Sequence, residues 1–241
     1  KATVGAGVTC TATIDYNRNK LADIRALVPG VVRTLRADIG QSVKKGAPLF
    51  VLDSTQVGEA QARLPSLAQI VRTARANHAR KQKLGAEGLV AQRAVEQAKQ
   101  QLSSAEADLA AARTAVRLAG AAAGRAGRYV LTSPLAGTLV RRPAVIGAYA
   151  TAETSLGTVA DTSTMWARLD VPESSAGAVR VGQSVSIVIS GRNETTRSTI
   201  TWVASEVDPK TRMVAARAEI ANKSGTVRAN QFARAVIETG A

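Results

Sequence analysis

Two stretches of this chain share one pattern, and a long stretch of different texture separates them. Laid over each other, residues 29–53 and 136–160 put Gly30 on Gly137, Val31-Val32 on Thr138-Leu139, and Ile39-Gly40 on Ile146-Gly147. Leu49 then falls on Leu156 and Leu52 on Val159. Each copy reads as a β-run, a turn glycine and a second β-run. Glycines at 30, 40, 137 and 147 suit positions that need a positive φ or a close approach of backbone. Neither copy carries enough apolar surface to bury a core alone, so the two are expected to pack on each other across the residues between them.

Those intervening residues, 54–128, are rich in Ala, Gln, Arg and Leu and read as helix. Val95, Ala98, Leu102, Ala105, Leu109, Ala112, Val116 and Ala119 alternate spacings of three and four, which is a heptad seam. Ala60, Leu64, Leu67, Val71, Ala74 and His78 follow the same alternation, and Gly85 and Gly88 break it between the two runs. The pattern predicts an antiparallel coiled-coil hairpin, with arms of some 30 residues reaching about 45 Å at about 1.5 Å per residue. A proline within a helix removes a hydrogen bond, so Pro65 predicts a helix start or a kink near Leu64.

Residues 1–26 and 161–241 carry short alternating β-runs at 4–14, 164–171, 184–189, 198–207, 214–220 and 233–237. Asp208-Pro209 and Asn222-Lys223-Ser224-Gly225 supply turns between them. Six such strands predict a small antiparallel β-barrel assembled from both ends of the chain. The expected order is nested: barrel, β-unit, hairpin, β-unit, barrel.

Composition narrows the chemistry. Two Trp, three Tyr and two Phe in 241 residues are few for the core of a compact enzyme. A formal charge of +14 is compatible with nucleic acid, an anionic membrane surface or a soluble protein with basic flanks. Within 54–128 there are 12 Lys and Arg against 5 Asp and Glu, with no aromatic residue among them. Such charges solvate the outer faces of a coiled coil, and no nucleic-acid partner is expected. No apolar run approaches the roughly 20 residues of a membrane-spanning helix. The single Cys10 cannot form an intramolecular disulfide and reads as a buried strand residue.

The chain has one histidine, His78, which lies on the heptad seam, so no Ser/His/Asp arrangement is built here. No His/Cys cluster has zinc-ligand spacing. Met165 and Met213 could approach each other in the barrel as soft ligands, and with His78 they are the candidates for metal contact; core packing is the plainer reading of both methionines. Residues 120–124, Gly-Ala-Ala-Ala-Gly, lack the context of a phosphate loop and read as a helix exit. The sequence predicts a protein that is not an enzyme.

The glycine-turn units Pro29-Gly30-Val31-Val32 with Gly40-Gln41-Ser42-Val43-Lys44-Lys45-Gly46, and Ser133-Pro134-Leu135-Ala136-Gly137-Thr138-Leu139, resemble the halves of a biotinyl/lipoyl-like domain. In a carrier those halves meet at a tight turn that presents a lysine, whereas here about 75 residues of hairpin stand between them. Together with Leu169-Asp170-Val171-Pro172-Glu173 and Val181-Gly182-Gln183-Ser184-Val185, the split halves resemble the periplasmic adaptor, or membrane fusion, proteins of tripartite efflux pumps. Leu52-Asp53-Ser54, Gly58-Glu59-Ala60-Gln61, Val159-Ala160-Asp161 and the run Met165-Trp166-Ala167-Arg168 are similar to the heavy-metal, cobalt-zinc-cadmium branch serving resistance-nodulation-division transporters.

That resemblance implies an elongated mixed α and β chain. Its parts would be a β-barrel from 1–26 and 161–241, a lipoyl-like β-sandwich from 27–53 and 129–160, and a helical hairpin at 54–128. Family members also carry a membrane-proximal domain, expected to be absent or trimmed here. The function implied is that of an adaptor in the periplasm, attached to the inner membrane, which links a proton-driven transporter to an outer-membrane channel. It would assemble as a ring, expected to be a hexamer. No cofactor is implied beyond a transient heavy-metal cation. Adaptors of this kind carry an Arg-x3-Leu-x6-Ser pattern at the hairpin tip, which falls on Arg80, Leu84 and Ala91, so the serine is replaced. Gly85 and Gly88 complete the expected channel-docking tip. Three alternatives stay open: a metal-binding protein that delivers ions to the transporter, an adaptor for drug efflux or protein secretion, and a lipoyl carrier.

Overall fold

The computed structural model describes residues 7–118, 127–192 and 194–239. In chain order, β1 is Gly7–Tyr16, β2 Leu21–Arg25, β3 Gly30–Leu35, β4 Ser42–Val43 and β5 Pro48–Asp53. Helices α1, Thr55–Ala86, and α2, Gln92–Leu118, follow. Then come β6 Arg128–Thr132, β7 Gly137–Arg141, β8 Tyr149–Ala150, β9 Ser155–Ala160, β10 Thr164–Pro172, and a single helical turn α3, Glu173–Ala176. The last strands are β11 Ser184–Ile189, β12 Thr195–Val203, β13 Met213–Ala221 and β14 Phe232–Glu238. Seam position Ala119, the run 120–124 and the expected strand start at Val4 fall outside the described residues.

The mixed α and β class and the six-stranded antiparallel barrel hold. The strands close in the order β1-β10-β13-β12-β11-β14, so the N-terminal strand fills the gap between β10 and β14. Side chains alternate inward and outward with the two-residue period of a strand, most regularly along β10 and β13. Ala12, Ala167, Ala216, Ala218 and Ala235 share the interior with Ile14, Leu169, Ile187, Ile200 and Ile237. Alternation of small and branched residues is what a narrow barrel can hold. Cys10 is buried in β1, and burial, then the neighbouring Asp170 charge, pushes its thiol up to about 11. The barrel's first strand ends at Tyr16, and β2 instead joins a four-stranded sheet ordered β2-β9-β7-β4.

The second compact unit comprises Asp23–Pro134 and Leu139–Thr158. Its other sheet runs β6-β5-β3-β8. In both sheets the repeat copies trade their short strands: β4 of the first copy sits beside β7 of the second, and β8 of the second beside β3 of the first. The bonds are reciprocal. Gly40 N–H donates to the Leu139 carbonyl at 2.8 Å and Leu139 N–H to that of Gln41 at 3.0 Å. In the other half Gly147 N–H donates to the Val32 carbonyl at 2.8 Å and Val32 N–H to that of Ala148 at 2.9 Å. Both turn glycines hold left-handed backbone, with φ of 85° at Gly40 and 86° at Gly147. Phe50, Leu49, Leu52, Tyr129, Leu139 and Leu156 form the buried apolar residues between these strands.

Gly30 and Gly137 occupy equivalent places as well. A Cβ at Gly30 would lie 2.5 Å from the Asp53 carbonyl oxygen, and one at Gly137 would meet that of Ala160. Alanine at either site forces backbone apart. We expect Gly30→Ala and Gly137→Ala each to lower stability by about 1–3 kcal/mol in urea unfolding, and a loss below about 0.5 kcal/mol for both would show that the close approach is not a constraint.

Candidate functional site

Apolar spacing on α1 and α2 sets which faces meet. Val71, Ala105 and Leu109 form a buried cluster with Leu64, Leu67, Ala68, Ala74 and Leu102 packed on it, and most residues between the seam positions are exposed. The contacts run antiparallel, because Arg75 pairs with Glu106 at 2.5 Å while Gly85, ten residues further on, packs against Val95. Helix α1 begins at Thr55, ten residues before Pro65, so the expected start near Leu64 is corrected. Pro65 is exposed, which leaves its ring on the solvent side. His78 is half-buried on the seam side of α1.

The tip residues follow from how α1 stops. Glu87 N–H donates to the Lys83 carbonyl, Gly88 N–H to that of Gly85 and Leu89 N–H to that of Leu84, with φ at 72° on Gly88. The left-handed glycine ends the helix and satisfies its last carbonyls. Gly85 is there for packing, since a Cβ would come within 2.9 Å of Val95 Cγ2. Leu84 is half-buried, whereas Arg80 is exposed and its Nη2 donates to Asn77 Oδ1 at 3.2 Å, one turn back. Ala91 is exposed just ahead of α2. Leu89, 67% exposed at the turn itself, was not singled out by the sequence, although a leucine off the heptad register beside a helix-ending glycine is a readable signal.

At the other end of the helices Asp53 stands opposite Arg128 in the β5–β6 register. Its carboxylate accepts from Arg33 Nε at 2.6 Å and Arg128 Nε at 3.1 Å. Partial burial pushes this carboxyl up, but the hydrogen bonds from Arg33 and Arg128 outweigh it and hold the group below the ordinary carboxylate range. Ser54 N–H donates to the Gly127 carbonyl, and Gly127 N–H to Gln61 Oε1, with Gly58 and Gly127 in close backbone contact. Tyr129 O–H donates to the Val28 carbonyl, and burial pushes its phenol up to about 12.

The metal candidates do not converge. Met165 is opposite Ile220 and Met213 opposite Pro172, seven residues apart along β10, or about 23 Å at about 3.3 Å per residue. Antiparallel register therefore corrects the expectation that the two methionines approach. Among the described residues no group of three or more His, Cys, Asp or Glu side chains comes together as a metal site, and no helix is long and apolar enough to cross a membrane.

A six-stranded barrel, two sheets with exchanged strands and a pair of long antiparallel helices between the sheet halves define the class of membrane fusion proteins. Residues 20–161 match the family model described as CzcB-like, barrel-sandwich hybrid domain, and residues 164–241 match the CusB-like, beta-barrel domain. The chain belongs to the CzcB-like family of membrane fusion proteins. It is 28% identical over 233 residues to a cation efflux system protein CzcB of Alcaligenes sp. strain CT14 and to a cobalt-zinc-cadmium resistance protein CzcB of Cupriavidus metallidurans. Those matches cover 96% of the chain but 45% of each relative, so the chain spans about half their length. Among solved structures, ZneB from Cupriavidus metallidurans is 28% identical with a TM-score of 0.68, covering 98% of this chain and 99% of that one. A MacA-MexA chimera containing the Pseudomonas aeruginosa MexA alpha-hairpin domain shares the fold at 22% identity and a TM-score of 0.80, covering 98% and 80%.

A carboxyl held low in the folded state stabilises above its unfolded value, about 3.9 for Asp, and the contribution is lost as pH falls through the folded value. Asp53→Asn is expected to cost about 1 kcal/mol at pH 7, with the difference from wild type closing towards pH 2 in urea melts. A gap that stays constant across that range would remove the carboxylate from the account.

Proposed function

We propose that this chain is the adaptor subunit of a tripartite efflux pump that exports heavy-metal cations, placed in the periplasm and attached to the inner membrane. It links a proton-driven resistance-nodulation-division transporter to an outer-membrane channel, and it works as a ring of copies, a hexamer in this reading. The observation that carries the proposal is that the two family matches run one after the other across 20–241, with a long helical pair inserted in the first. In this reading the sheet pair is a split lipoyl-like sandwich and the helices a coiled-coil hairpin whose end, with Arg80, Leu84, Gly85, Gly88 and Ala91, meets the channel. The adaptor is not an enzyme and holds no cofactor. Any metal contact is transient, with the exported cation as cargo.

Arg80 presents a planar guanidinium able to donate in pairs to carboxylates or carbonyls of a channel protein, and Leu84 and Leu89 give apolar contact beside it. Ala91 offers no hydroxyl, so the docking bonds rest on the arginine. Deleting the gene should sensitise cells selectively to cobalt, zinc or cadmium salts. Wild type should restore growth, and Arg80→Asp should fail to do so at equal protein level and melting temperature. Sensitivity confined to organic compounds would assign a different cargo, and full rescue by Arg80→Asp would take the docking role away from that end of the helices.

A further inference from the structure

Four neighbouring barrel strands present one patch on the outer wall, and its centre is Arg217. On β13 the side chain points outward, and its guanidinium carbon lies 4.1 Å from the ring centre of Trp166 and 5.9 Å from that of Trp202, both within cation–π range. Trp202 reaches this face through a β-bulge. Ile200 pairs with Ala218 and Trp202 with Arg217, so Thr201 is the extra residue. Without the bulge Trp202 would share the inward face with the fully buried Ile200; with it the indole is 46% exposed on the wall.

The charges around this stack are arranged at a cost. Arg168 stands directly opposite Arg217 in the β10–β13 register, a like-charge pair that destabilises a sheet. Among the described residues Arg217 has no carboxylate partner; its Nε donates only to Thr201 Oγ1, at 3.4 Å. Arg168 lies 4.0 Å from Asp170 and Arg18 3.9 Å from Asp15, both beyond hydrogen-bond length. A groove of about 340 Å³ runs between these side chains, lined by Asp15, Arg18, Trp166, Arg168, Trp202 and Arg217. Three guanidiniums face one carboxylate there.

We propose that this groove docks an acidic segment of a partner protein, with an Asp or Glu carboxylate bridging Arg217 and Arg168 and its aliphatic stem packed on Trp202. A carboxylate relieves the opposed arginines and gives both of them the charge-assisted bonds they lack. A phosphate fits less well, because it has no aliphatic stem to lie on the exposed indole of Trp202. The barrel is closed, so no strand edge is open for pairing and recognition falls to side chains. This inference is independent of the efflux reading, since it rests on the barrel wall alone.

Trp166 and Trp202 are the chain's two tryptophans and both border the groove, so tryptophan emission, excited where the three tyrosines do not absorb, reports this site. The probe is the blocked peptide acetyl-Gly-Asp-Glu-Leu-Gly-amide, compared with its Asn-Gln counterpart, inorganic phosphate and phosphatidylglycerol vesicles. We expect a saturable emission change with the acidic peptide alone. Arg217→Gln and Arg168→Gln should each weaken it about tenfold or more, the loss of a charge-assisted bond. Arg234→Gln, on β14 across the barrel, should leave affinity unchanged. Arg168→Gln leaves the indole stack intact, so the proposal stays testable if Arg217→Gln unfolds. No saturable change, equal binding of the neutral peptide, or affinity indifferent to both variants would overturn the proposal. A stronger, Arg217-dependent response to the vesicles or to phosphate would overturn it in favour of a membrane surface or a free anion.

Discussion

The reciprocal bonds between the repeat copies, Gly40 and Gln41 with Leu139 and Gly147 and Ala148 with Val32, are the constraint on which the second unit depends. A two-residue strand such as β4 or β8 has no independent stability, and each becomes a strand because the other copy's sheet offers it an edge. The left-handed glycines at 40 and 147 turn the chain across at the right residue. Once both exchanges are made, neither copy can leave without breaking the other's ladder, and a core of modest side chains closes. Two short β-units that would be unstable alone thus make one cooperative body.

That closure explains how the chain tolerates two long helices, of 32 and 27 residues, between the copies. Asp53 and Arg128 are direct partners in an antiparallel ladder, so the insertion leaves and returns at neighbouring points. An antiparallel helix pair has its ends side by side at about 8–10 Å, and Gly58 against Gly127 narrows the spacing to that of paired strands. Asp53, gripping Arg33 on one neighbouring strand and Arg128 on the other, fixes the point of departure. Helix–helix packing then needs only the heptad seam.

What could be read in the sequence follows the same division between local and distant causes. Periodicity is local, so the helices, their seam, the barrel strands and the glycine repeat were legible, and with them the family. Of the start or kink that Pro65 suggests, the start does not hold: the rule against proline in a helix is local, whereas α1 continues back to Thr55 with Val57 buried. The strand exchange was not legible, since two residues carry no pattern of their own. Strand spacing in sequence gives no register, so it leaves an approach of Met165 and Met213 open; the β10–β13 ladder separates them. Leu89 lies one residue past Gly88, off the heptad register, so the seam pattern does not reach it.

Register also accounts for the shortage of aromatic residues. The barrel interior is narrow, and the side chains that fill it with no exposure are alanines and aliphatic residues such as Ala167, Ala216, Ala218, Ala235, Leu169 and Ile187. An indole does not fit among them, and a bulge at Thr201 is what keeps Trp202 from pointing there. The large side chains are therefore displaced outward, to where Trp166 and Trp202 flank Arg217. A barrel packed in this way holds no ligand within its walls.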